Sequence, residues 1–249
     1  MNVSPYAPRR GAAALLALAL TAGAAVAARA AAVTAGVVVS VTGKPTVERA
    51  GAKSSGSLKL NDILNEGDTV KTGPKTLVGI AFVGGAELRL NENSTFKMVS
   101  GGSGTRPTSV FTSLGNAWTR LMSGNARIEV RTPTAVCAVR GTEADVSLAG
   151  GPMTVKVYEG HVDVMNTKGT TALHAGELTA VTGSGAAPQA ARAMTPRDYG
   201  TWQNTLKAPD LNRSMKLLTA AAVKNRALDL YMKDKSGKQK KIRLNFEKK

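Results

Sequence analysis

The chain has 249 residues, 43% hydrophobic and only 4% aromatic, which is enough for one sizeable core built from Val, Leu, Ile and Ala. Its single cysteine excludes an internal disulfide framework. A net charge of +16 points first to nucleic acid, but +3 of it falls in residues 1–30 and +9 in Pro196–Lys249; the body from Ala31 to Thr195 carries only +4, and no nucleic-acid partner is expected.

Met1–Arg10 holds Arg9 and Arg10 and no acid. Gly11–Ala28 is an uncharged Ala/Leu-rich run, and Ala28-Arg29-Ala30 or Ala25-Val26-Ala27 supplies small residues at cleavage positions. This is the three-part layout of a secretory signal peptide. Residues 1–30 are read as a signal cleaved after Ala30 or Ala27. A retained inner-membrane anchor is the alternative, since about 18 apolar residues are close to the minimum for spanning. The expected location is periplasmic or secreted.

From Val33 onward, short runs of β-formers alternate with glycine. Val37–Val41, Pro45–Arg49, Leu77–Val83, Ala86–Leu90 and Phe96–Val99 read as strands, with Gly84-Gly85 as a turn. Leu58–Leu64 is ambiguous. Ser100–Pro107 (SGGSGTRP) reads as a flexible loop, and Phe111–Leu121 as a strand or a short helix. Arg127–Arg131, Val136–Val139 and Asp145–Leu148 are further strands. Met153–Val157 alternates with period two, Glu159-Gly160 breaks it, and His161–Val164 resumes. Thr171–Leu173 and Leu178–Val181 close the series. This spacing predicts a mainly β domain over 31–182, followed by a linker over 183–195.

The basic extension, 196–249, changes character. Thr195-Pro196 is a helix start, with Thr as N-cap and Pro at the first position. Leu211, Met215, Leu218 and Ala222 share one helical face. Leu228, Leu230 and Met232, then Ile242, Leu244 and Phe246, alternate around the turn Asp234–Lys238. They predict a C-terminal β-hairpin with basic residues on its other face.

Three ordered blocks resemble the FecR domain family. The first is Gly67-Asp68-Thr69-Val70-Lys71-Thr72-Gly73, continued by Val78–Phe82 and Leu88-Arg89-Leu90. The second is Arg131–Val146, RTPTAVCAVRGTEADV, and the third is Val155–Val164, VKVYEGHVDV, with Ala175-Gly176-Glu177 after it. The resemblance spans roughly Val33 to Val181. It implies a periplasmic domain of β-solenoid-like or sandwich-like architecture. In the name-giving regulators this domain senses an outer-membrane transporter and signals through a membrane helix to a cytoplasmic anti-sigma domain. Only ten residues precede the apolar segment here, so that inner half is not expected, and the sensing or binding role alone carries over.

Within these blocks Gly67-Asp68 and Arg140-Gly141-Thr142 read as tight turns. Thr142 is expected to bond backbone there, Arg140 to lie over a buried carbonyl or carboxylate, and Pro133 to sit at a strand edge or start. His161 and His174 lack a second ligand at metal-binding spacing. Cys137, in an apolar run, reads as a buried inert thiol. No phosphate-cradling glycine motif occurs. The sequence therefore names no catalytic, cofactor-binding or metal residue, predicts no cofactor or small-molecule substrate, and favours a non-enzyme. The expected function is an exported binding or regulatory module of the bacterial envelope that contacts another envelope protein. The alternative is a structural adaptor whose basic extension binds anionic lipid or polysaccharide.

Overall fold

The computed structural model describes residues 32–103, 106–122, 125–148, 151–224, 228–233 and 239–244. In chain order the strands are β1 (Thr34–Thr42), β2 (Thr46–Glu48), β3 (Ser55–Ser57), β4 (Ile63–Asn65), β5 (Thr69–Lys71), β6 (Leu77–Phe82), β7 (Ala86–Leu90), β8 (Thr95–Ser103), β9 (Arg106–Leu114), β10 (Asn116–Leu121), β11 (Ile128–Arg131), β12 (Val136–Ser147), β13 (Met153–Asn166), β14 (Gly169–His174), β15 (Glu177–Val181) and β16 (Arg192–Ala193). Two 3-10 turns, Pro196–Asp198 and Trp202–Thr205, lead to helix α1 (Leu211–Lys224) and a separate hairpin of β17 (Leu228–Lys233) and β18 (Gln239–Leu244). The turn 234–238 and Phe246, also assigned to that hairpin, lie outside the described residues.

Sixteen of the described strands form one curled sheet in the order β3-β2-β5-β8-β9-β11-β12-β10-β7-β6-β1-β4, with β13 to β16 continuing from β12. The mainly β fold of the sequence reading is thus the fold of the chain. Between the solenoid-like and sandwich-like architectures left open, the chain forms a single sheet curled like a half-barrel. Pairing is antiparallel except between β9 and β11, whereas a solenoid would stack parallel rungs.

The folding over happens in two long strands. The first half of β12 pairs with β11 and its second half with β10. In the same way β13 pairs with β15 early and β14 late. Between Arg140 and Ala144 the β12–β13 register slips and then recovers. Here Gly141 has φ +144° and Gly160 has φ +78°, and a Cβ on Gly141 would stand 2.5 Å from the Gly160 Cα. Only paired glycines let the two strands bend this tightly together. The Arg140-Gly141-Thr142 and Glu159-Gly160 segments are therefore not turns between strands, as the sequence suggests, but one corner inside two continuous strands. The side chain of Thr142 lies outside the described residues.

Each strand keeps its apolar residues inward across the corner by changing parity. Cys137 and Val139 give way to Ala144 and Val146, and Val155 and Val157 to Val162 and Val164; all are buried. The two leaves so formed close on one core. It draws on Phe96, Met98, Val110, Ile128 and Val164 from the leaf containing β8, β9 and β11, and on Val38, Ile80, Phe82, Leu88 and Val155 from the leaf containing β1, β6 and β7.

Ser100–Ser103, read as the start of a flexible loop, is where the leaves meet at the far side; Gly104 and Thr105 lie outside the described residues. Ser100–Ser103 lies within β8, Gly84 N donates to Gly101 O at 2.8 Å, and a Cβ on Gly101 would lie 2.6 Å from the Ala35 Cα. The glycines serve close backbone approach. Phe111–Leu121 resolves as the end of β9 and all of β10, broken at Gly115.

The outer face of the β1 leaf is covered by the C-terminal extension. The continuous apolar run of β1 buries both faces: Val38 joins the main core, while Val37 and Val39 with Ala81 meet Leu218 and Met215 of α1. Asp210 Oδ1 accepts the Arg213 N–H at 3.0 Å and caps the helix. Residues 183–195, of linker-like composition, lie along the sheet. Gln189 N donates to Ala180 O, Met194 N to Gly176 O, and β16 pairs with β15. No helix among the described residues is long and apolar enough to cross a membrane.

Candidate functional site

Next to the α1 contact, the same outer face becomes polar. Outward positions alternate with core positions along β7, β10, β12 and β13, bringing Glu87, Arg89, Trp118, Arg120, Asp145, Lys156 and Tyr158 onto one surface. The Trp118 indole meets two guanidinium groups, with Arg89 Cζ 4.7 Å and Arg120 Cζ 5.5 Å from the ring centre. Glu87, buried, holds both: Arg89 Nε is 2.7 Å from Oε1 and Arg120 Nη2 2.7 Å from Oε2. A buried carboxylate shared by two arginines has its lone pairs satisfied and its charge offset.

Asp145 is the register partner of Trp118 on one side and Lys156 on the other. Burial pushes its carboxyl up to about 6, against the lowering effect of the Trp202 hydrogen bond, the Lys156 charge and the Asn116 hydrogen bond. The Tyr158 hydroxyl is raised too, by burial first and the Asp145 charge second.

A strap of residues 196–206 crosses this floor. Lys156 Nζ donates to Asp198 O at 2.6 Å, Gly200 N to Tyr158 Oη at 3.3 Å, and Trp202 Nε1 to Asp145 Oδ2 at 3.2 Å. Arg89 donates to the Gln203 carbonyl. At the strap's start, Thr195 N and Oγ1 both donate to Asp198 Oδ2 at 2.8 Å, as the Thr-Pro helix-start signal predicts, though the result is a single 3-10 turn. Arg192, followed by the Thr195 amide and hydroxyl, holds the Asp198 carboxyl well below the usual carboxylate range.

A second polar group lies past the corner, on the other leaf. The hairpin of β13 and β14 puts the chain's two histidines opposite each other, His161 against His174, with ring centres 5.9 Å apart. His161 Nε2 is 3.4 Å from Asp163 Oδ1, and Arg140 Nε is 3.9 Å from Asp163 Oδ2. Arg140 is exposed and faces this carboxylate across the strand, so the carboxylate expected beneath it is present, though partly and not fully buried. Among the described residues, no set of three His, Cys, Asp or Glu side chains is arranged to hold a metal ion.

The remaining motif residues are structural. Asp68, buried, accepts Arg49 Nη1 at 2.8 Å and the amides of Ala50 and Asn65 at 2.9 Å, stapling the turn between β4 and β5 where Gly67 has φ +89°. Thr132 Oγ1 receives the amides of Thr134 and Ala135 and donates to Ala135 O. Thr-Pro-Thr-Ala is thus a self-bonded turn joining β11 to β12, and Pro133 sits in that turn, not in a strand. Cys137 is buried and free, and burial alone raises its thiol far out of the reactive range.

The floor beneath the strap is not visible in any local motif. Its members are spread from Glu87 to Tyr158, and their cover comes from a segment read as a helix start. One signal was available: Trp118 and Trp202 are the chain's only two tryptophans, and both belong to this site.

Residues 68–163 match the family model described as FecR protein. Two crystal structures of a candidate anti-sigma factor from Parabacteroides distasonis ATCC 8503, at 1.65 and 2.50 Å, are similar with TM-score 0.45 and 17% identity. The similarity covers 52% of this chain and 61% of that one, so this chain spans less than two thirds of that protein's length. No curated protein matches the chain. The corner, the polar floor and three of the four residues of the histidine group all fall within 68–163, and that segment carries a match to the FecR family, the one its three sequence blocks resemble.

Proposed function

We propose that this protein is an exported regulatory module that acts by binding another protein of the cell envelope and catalyses no reaction. The observation that carries the reading is the FecR match over 68–163, laid on a fold whose polar groups are built for contact. Glu87 and Asp145, the buried carboxylates of the polar floor, are engaged by arginines and by Trp202, and the one thiol is buried. Export rests on the composition of residues 1–30, which lie outside the described residues. The test is expression of the full chain in a Gram-negative host, cell fractionation, intact mass and crosslinked partner capture. A periplasmic species starting near Ala31 that captures a specific envelope protein supports the reading. A cytoplasmic, uncleaved species refutes export, and a periplasmic species that captures nothing refutes the binding role.

A second reading is favoured by charge. Residues 226–249 hold nine Lys/Arg and three Asp/Glu, a density suited to anionic headgroups or acidic polysaccharide. Binding to anionic vesicles that weakens with salt and is lost on deleting 226–249 would establish it; salt-insensitive binding would refute it.

A further inference from the structure

We propose that the polar floor under residues 196–206 is a peptide-binding face, that the strap occupies it in cis, and that its intended occupant is an acidic, aromatic-bearing segment of a partner protein. This rests on the protein-binding reading above and locates it.

Three observations carry the inference. First, the strap is held by side chains of the floor and not by a ladder. Arg89, Asp145, Lys156 and Tyr158 make the bonds, and among the described residues no backbone pair joins 196–206 to the sheet. Its apolar contribution is concentrated at its C-terminal end, where Leu206 is buried; ahead of it the first 3-10 turn buries no residue, the second buries only Gln203, and Tyr199 is 49% exposed. Segments with few buried apolar contacts open at low free-energy cost. The flanks are firmer. Met194 is bonded to Gly176 before the strap, and Leu218 of α1 is buried after it, so the strap can lift while both ends stay docked.

Second, the fit is incomplete. Trp118 Nε1 and Gln203 Oε1 are buried with no hydrogen-bond partner among the described residues. Buried orphans of this kind are costly, and an occupant that supplied an acceptor to Trp118 would gain what the strap forgoes.

Third, the strap offers no charge to the floor's cations. Lys156, beside Asp145, and Arg89, already paired with Glu87 through Nε, each direct a further donor at a neutral main-chain carbonyl, of Asp198 and Gln203. The Asp198 carboxylate points away, to Arg192 and Thr195. Carboxylates in place of those carbonyls would make charge-assisted bonds, roughly twice as strong. Asp145 meanwhile selects an N–H donor such as an indole, the group Trp202 offers it. A segment with two acidic side chains flanking a tryptophan matches the floor better than the strap does.

The test uses the full chain and two labelled synthetic peptides: one with the sequence of Thr195–Lys207, and one in which Tyr199 and Asn204, on either side of Trp202, are glutamates. Trp202→Ala removes the indole anchor and leaves the floor intact. Expected are strap amides that exchange at least 10-fold faster than in wild type while β12 and β13 amides do not change. Both peptides should bind this variant at least 10-fold tighter than wild type, the acidic one tighter than the other, and adding Arg89→Ala should remove most of the acidic peptide's advantage. If Trp202→Ala does not fold, Trp202→Phe, which removes the indole N–H from Asp145 and leaves every floor residue in place, is read in the same way. An open strap with no gain in peptide binding overturns the inference, as does a strap whose amides exchange only with β12 and β13. Peptide binding without capture of an envelope partner would leave this face standing and remove the envelope-protein reading instead.

Discussion

Asp145→Asn isolates the cost of the buried carboxylate. Asp145 titrates near 6 in the folded protein against 3.8 ordinarily. Between those values the folded chain holds the proton more tightly than the unfolded chain. The group's contribution to stability is therefore fully present below about pH 4 and is lost as pH rises through about 6. A difference of about two units is worth roughly 3 kcal/mol. Asparagine keeps an oxygen for the Trp202 N–H and has no charge to desolvate. The assay is urea unfolding of wild type and variant in parallel from pH 4.0 to pH 7.5, where every other titration cancels in the difference. The variant's stability relative to wild type should climb by about 2–4 kcal/mol across that range and level off above pH 7. A flat difference, or one that favours wild type as pH rises, would refute the claim that burial dominates at Asp145.

Other perturbations address the frame. Gly141→Ala sets a Cβ 2.5 Å from the Gly160 Cα at φ +144°, and chemical denaturation should show a loss of about 2–4 kcal/mol; a loss under 0.5 kcal/mol would mean the corner is not strained as described. Glu87→Gln takes the charge from between Arg89 and Arg120 and should cost about 2–3 kcal/mol, with a change in Trp118 fluorescence, whereas an unchanged emission spectrum would argue against the stacked arrangement. Cys137 should react with a thiol reagent only as fast as the domain opens, and rapid labelling of the native protein would contradict its burial.

Much of the strand pattern was legible because alternation is written locally: Ala86–Leu90 and Arg127–Arg131 are strands for the reason the sequence suggests. What misled was glycine. Gly141, Gly160, Gly101 and Gly102 all look like interruptions, yet they serve close approach between backbones whose partner is distant in sequence. A sharper signal was present in the parity change from Val155 and Val157 to Val162 and Val164, which marks a bulge within one strand and not the end of it. The pairing of His161 with His174 was also within reach. The strands turn over only Thr167 and Lys168, and a two-residue hairpin fixes the register. The floor beneath the strap was not legible, because Asp145 and Lys156 occupy outward positions whose burial depends on a cover some fifty residues downstream.

The shared strands β12 and β13 also bear on modularity. Each is a member of both leaves, so neither leaf is a separable unit. A fragment cut to residues 68–163 would keep the corner but lose β1, which pairs with β6 and carries Val38 into the core, and β14 and β15, which flank β13. Such a fragment would expose the unpaired edges of β6 and β13 beside a half-filled interior, a state prone to strand-to-strand association. The stretch that matches the family model is thus shorter than the sheet it belongs to.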